Sequence, residues 1–140
     1  MRLGQEETLR RAHASETYLL AGRIPEARDT AFDALEFAER HGQHGFGAWV
    51  HRILGDIARL HPLLLADSAE HHYREALRRA NERGMRPLAA HCHLGLGRFY
   101  RRAGEAGRAR EHLAEAKKLY SEMGMAFWLD KAEGEMCQLT

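Results

Sequence analysis

Three stretches of this chain align with one another without gaps, and that self-similarity constrains the fold more than any single motif does. They are ARDTAFDALEFAERHG from Ala27, AEHHYREALRRANERG from Ala69 and AREHLAEAKKLYSEMG from Ala109, starting 42 and 40 residues apart. Ala34, Ala76 and Ala116 correspond, as do Gly42, Gly84 and Gly124. Ala69, Tyr73, Ala76, Leu77 and Ala80 stand at i, i+4, i+7, i+8 and i+11, one stripe of an amphipathic helix, and Ala27, Ala31, Ala34, Leu35 and Ala38 repeat it. Alanine at such contacts lets helix axes approach closely. The closing glycines suit a left-handed residue just past a helix C-terminus.

A second helical pattern precedes each of these stretches. EETLRRAHASETYLL comes first and GAWVHRILGDIARL second, and in the third Leu88, Ala89, Cys92, Leu96, Phe99, Tyr100 and Ala103 share a face. AGRIPE, HPLLLADS and AGEAG break the pairs, the middle turn carrying the two residues that separate a 42-residue step from a 40-residue one. Pro25 and Pro87 fall where a first helical turn tolerates proline. Asp67 followed by Glu70 resembles a capping box. In MAFWLDKAEGEMCQL, Leu129, Ala132, Met136 and Leu139 repeat the spacing of Ala89, Cys92, Leu96 and Phe99, as a terminal cap would. Only three prolines occur, and Ala, Leu, Glu and Arg dominate, which favours helix nearly throughout. The expectation is an all-α single domain over residues 1–140: three helix-turn-helix repeats, about 5–42, 44–84 and 86–124, and a capping helix about 125–139, seven helices in all.

Charge and composition narrow the function classes. Lys+Arg total 21 and Asp+Glu 20, a net charge of +1, which argues against wholesale attraction to nucleic acid or a membrane surface. The two cysteines, Cys92 and Cys137, lack the number and spacing of a disulfide framework. MRLGQEETLRRAHASE is polar throughout, unlike a secretory leader, and no apolar run approaches the roughly 20 residues of a membrane helix. A soluble, cytoplasmic protein is expected.

The stretch HCHLGLGRFYRRAGE, from His91 to Glu105, carries the most suggestive chemistry. On a helix, Cys92 joins the core stripe while His91 and His93 splay to either side, roughly 160° apart, so the three cannot converge on one ion. Gly95-Leu96-Gly97 lacks the preceding strand and the following helix start that a dinucleotide loop requires, and reads as small residues at a helix contact. The serines, Ser15, Ser68 and Ser121, and the scattered carboxylates nominate no nucleophile–base pair. The ten histidines include His71, His72 and His112, placed on outward parts of second helices, where exposed histidine is ordinary. No catalytic residue, cofactor or metal is expected, and the chain is read as a non-enzyme.

Leu96-Gly97, Tyr100, Gly104, Ala109, Leu113 and Ala116 stand at the signature spacing of the tetratricopeptide-repeat (TPR) family, which the chain resembles over nearly its whole length. The first repeat keeps Tyr18, Gly22, Ala27, Ala31 and Ala34. The second keeps Leu54, Ala69, Tyr73 and Ala76 but has Ala58 and Pro62 in place of Tyr and Gly. The repeats run longer than the family's usual length of about 34 residues. AHCHLGLGRFYRRAG, AEHHYREAL and EMGMAFWLDKAEGEM resemble, more narrowly, the C-terminal TPR region of large bacterial signalling proteins that carry an ATPase module with a cyclase or helix-turn-helix domain.

The resemblance implies an α-solenoid whose first helices line a concave groove. That face maps to Leu9, Ala12, Glu16, Leu19 and Leu20, then Trp49, Arg52, Asp56 and Arg59, then His91, Leu94, Arg98, Arg101 and Arg102. The groove is expected to be apolar toward its N-terminal end and basic toward its C-terminal half. Arginine forks suit carboxylates, and Trp49 can anchor a side chain. The expected function is protein–protein interaction, as a scaffold or regulatory arm, with an acidic or mixed peptide pairing with Arg52, Arg59, Arg98, Arg101 and Arg102. Self-assembly is the alternative, because the first helix has no preceding repeat to cover it and PLLLA in the middle turn is unusually apolar. Neither nucleic acid nor membrane is expected as a partner.

Overall fold

The computed structural model describes residues 2–65 and 67–139. Among these residues there are seven α-helices and no strand: α1 (Arg2–Leu20), α2 (Ile24–Arg40), α3 (His44–Leu60), α4 (Ala69–Glu82), α5 (Arg86–Arg102), α6 (Ala106–Glu122) and α7 (Ala126–Cys137). One 3-10 turn, Pro62–Leu64, follows α3. The all-helical expectation holds. Each helix packs on the next in sequence, and α1, α3, α5 and α7 also touch one another in that order.

The alanine stripes are the reason the helices come so close. Ala27, Ala31, Ala34, Ala38, Ala76, Ala80, Ala109 and Ala116 are all fully buried. Glycines complete the contact at two matching places. A Cβ on Gly55 would lie 2.7 Å from the Tyr73 ring, and a Cβ on Gly97 would lie 2.6 Å from Leu113. Gly55 and Gly97 are 42 apart, Tyr73 and Leu113 are 40 apart, so both pairs follow the repeat. Gly95, on α5, also lies against the Tyr73 ring. A mid-helix glycine costs about 1 kcal/mol relative to alanine, and here the burial of a whole tyrosine ring offsets it. At the matching place in α1, Ser15 is buried and its hydroxyl donates to the Ala27 carbonyl at 2.7 Å.

The turns follow the local chemistry. Gly42, Gly84 and Gly124 adopt φ of 67°, 67° and 68°. The next residue closes the helix: Met85 N–H donates to the Ala80 carbonyl at 2.8 Å and Met125 N–H to the Tyr120 carbonyl at 2.9 Å. Pro25 and Pro87 occupy the first turns of α2 and α5. One cap differs from expectation. Ser68, not Asp67, caps α4, its hydroxyl accepting the His71 N–H at 3.1 Å. Starting the helix one residue later takes Glu70 out of the capping-box position.

Candidate functional site

The face-lining positions of α3 and α5 correspond at a spacing of 42: Trp49 with His91, Arg52 with Leu94, Asp56 with Arg98, and Arg59 with Arg101. Trp49, Arg52, Asp56, His91, Leu94 and Arg98 come together around one cavity of about 200 Å³, joined by Glu16 of α1, Gly95, and Trp128 of α7. Arg59, Arg101 and Arg102 lie beside it around a second cavity of about 460 Å³, shared with Arg98 and Glu135.

On the α3 side the charges neutralise one another. Arg52 donates to Asp56 at 2.7 Å and reaches Glu16 at 3.5 Å, its guanidinium lying 5.1 Å from the Trp49 ring centre. Burial opposes the charge of Arg52, but Asp56 and Glu16 outweigh it and raise its pKa further above the usual range. Arg59 Nε donates to the Tyr73 hydroxyl at 3.1 Å, and that hydroxyl donates to Asp56. Asp56 therefore draws on two arginines and a tyrosine.

The α5 side has a different balance. Arg98 Nε donates to one oxygen of Glu135 at 3.0 Å and Arg101 Nε to the other at 3.0 Å. Arg102 is exposed and makes no ion pair with a described residue. Four arginines thus border a cavity that holds one carboxylate. Four of the five arginines expected to meet a partner's carboxylates have intramolecular ion-pair partners: Asp56 and Glu16 for Arg52, Asp56 for Arg59, and Glu135 for Arg98 and Arg101.

Two further residues sit deeper than expected. Leu94 is only 2% exposed and forms part of the cavity floor. Ala12, mapped to the same face, is equally buried in the core, where α1 meets its neighbours. His91 stands in the wall, its Nδ1 2.7 Å from the Tyr120 hydroxyl and its ring edge-on to Trp128 at 4.7 Å. Burial first, then nearby Arg52, brings its pKa down to about 4, so the ring is neutral at neutral pH. Trp49 and Arg52 each also carry a fully buried donor, Trp49 Nε1 and Arg52 Nε, with no hydrogen-bond partner.

A pair of histidine contacts escaped the sequence reading. His51 Nδ1 lies 3.2 Å from His72 Nδ1, and His93 Nδ1 lies 3.0 Å from His112 Nδ1. His72 is buried and His112 half-buried, against the expectation that both are exposed; only His71 is. The first histidines of the two pairs are 42 apart and the second 40 apart, the repeat's own offsets. That coincidence was the available signal. No group of three metal-ligating side chains occurs among the described residues. His91 and His93 point to different partners, Tyr120 and His112, as the helical geometry requires. Burial drives the Cys92 thiol up to about 12, so its reactive thiolate form is suppressed. Among the described residues no helix is long and apolar enough to cross a membrane.

No family model fits the chain, and no curated protein matches it.

Proposed function

We propose that the chain is a non-catalytic protein–protein interaction module of the tetratricopeptide-repeat type. In this reading three helix pairs and a capping helix build a short solenoid, the scaffold or regulatory arm of a signalling protein. A peptide or partner protein lies along the concave face of α1, α3, α5 and α7. The observation that carries the reading is the cavity shared by α1, α3, α5 and α7, with Trp49, Arg52, His91, Arg98 and Trp128 in its lining. The surplus of arginine beside it favours an acidic segment. The test is affinity capture by the wild-type chain and by an Arg98→Glu/Arg102→Glu variant. The proposal expects a partner retained by the first and lost by the second; equal retention contradicts it.

A second reading, self-assembly, has its own observation. Leu20, Leu63 and Phe127 are 90%, 99% and 64% exposed, and Leu9, Phe46, Trp49 and Met85 border an apolar cavity of about 270 Å³. Exposed apolar surface of this kind marks interfaces. Light scattering across a concentration series tests it, and a strict monomer rules it out.

A further inference from the structure

We infer that Glu135 is an internal stand-in for the partner: its carboxylate occupies the anion position between Arg98 and Arg101, and an acidic side chain of the bound peptide displaces it. The inference rests on the groove reading above and adds a built-in competitor to it.

The geometry is that of a ligand contact rather than a casual surface pair. Both oxygens of Glu135 are used, one on each arginine Nε at 3.0 Å, and the side chain is only 14% exposed. The helix that carries it is anchored independently. Ala132 is fully buried against α5 and α6, with Trp128, Leu129 and Met136 packed around the same cluster. The Glu135 side chain can therefore swing away while α7 stays in place.

The cavity beside it has unmet demand for negative charge. Arg59, Arg98, Arg101 and Arg102 border about 460 Å³, and Arg102 has no ion-pair partner among the described residues. Arg98 and Arg101 bind Glu135 through Nε, so their terminal amino groups remain for a second anion. An incoming carboxylate meets Arg102 and those amino groups first. It gains the two Nε–H donors only by replacing Glu135. A carboxylate is the class expected because Glu135 itself shows that the spacing of the two Nε groups fits the two oxygens of one carboxylate.

Hexaglutamate peptide, titrated by calorimetry at low ionic strength, tests the inference. Glu135→Gln keeps the shape and removes the charge, and should bind about fivefold or more tightly than wild type. Adding Arg101→Gln should remove that gain. Glu133→Gln is the control for long-range charge, since Glu133 is an exposed residue of the same helix and the ion pairs of Arg98 and Arg101 are with Glu135. In the wild-type chain the side-chain carboxylate ¹³C resonance of Glu135, and not that of Glu133, should shift as peptide is added. Binding unchanged or weakened by Glu135→Gln, or tightened equally by Glu133→Gln, overturns the stand-in and leaves the groove intact. If hexaglutamate binds none of the variants, the acidic-peptide reading and the stand-in fall together.

Discussion

Helices α3 and α5 occupy equivalent places in the repeat and present opposite chemistry. Their buried sides match: Leu54 and Leu96 are both fully buried, Gly55 and Gly97 both admit a large side chain, and His51 and His93 both meet a histidine on the next helix. Their cavity-facing sides do not. Asp56 stands where α5 has Arg98, and Arg52 where α5 has Leu94. On α3 the result is a closed circuit of charges with Glu16; on α5 it is an excess of arginine over the single carboxylate of Glu135. The repeat preserves what holds the helices together and leaves free what faces the cavity.

The largest effect should come from acid, and it tests the shared buried side. Burial first, then neighbouring positive charge, brings His51, His72 and His93 down from an ordinary value of 6.5 to about 4, and lowers His112 as well. The unfolded chain therefore takes up protons before the folded one does. Stability is at its full value above pH 6.5 and is lost as the pH falls toward about 4. Doubly protonated pairs also lose the Nδ1 contact, since both rings become donors. Thermal melts from pH 7.5 to 4 should show a steadily falling Tm. A Tm that is flat across that interval would mean that the histidine pairs are not buried as described.

Glycine substitutions separate packed positions from open ones. Gly95→Ala forces a Cβ into the Tyr73 ring and should destabilise by about 1–3 kcal/mol. Gly134→Ala, on α7 with nothing near the new Cβ, should instead stabilise by up to about 1 kcal/mol. Urea unfolding of the two variants reads both signs, and equal effects would remove the close-packing account.

Two arginine substitutions then break the comparison between the helices. Arg52→Ala leaves Asp56 and Glu16 short of a partly buried cation and should cost about 2 kcal/mol, below the range for fully buried pairs because the side chain is 13% exposed. Arg102→Ala removes no internal ion pair and should stay within about 0.5 kcal/mol of wild type. If both variants lose the same stability, the division into a closed and an open half fails.

Most of the helix plan was legible, because alanine and glycine at fixed offsets leave little choice of contact. Ala31, Ala34, Tyr73 and Ala76 could be placed inside from spacing alone. The caps were less legible, since Asp67 and Ser68 both qualify and only the backbone decides. The cavity residues on α3 and α5 were found from one helix face. Glu16 and Asp56 were mapped to that face too, but Glu135 was not, and neither were the ion pairs, because Glu16 and Glu135 reach Arg52, Arg98 and Arg101 across helix contacts at sequence separations of 34 to 37 residues. Periodicity reports which way a side chain points; it does not report what arrives opposite. His72 failed for the same reason, as its burial depends on His51 in the preceding helix.

The chain has two tryptophans, Trp49 and Trp128, and both wall the cavity shared by α1, α3, α5 and α7. Intrinsic fluorescence during a hexaglutamate titration therefore reports that cavity directly. The account predicts a saturable change in tryptophan emission that disappears in Arg98→Glu/Arg102→Glu. Calorimetric binding with no change in emission would place the peptide elsewhere and contradict it.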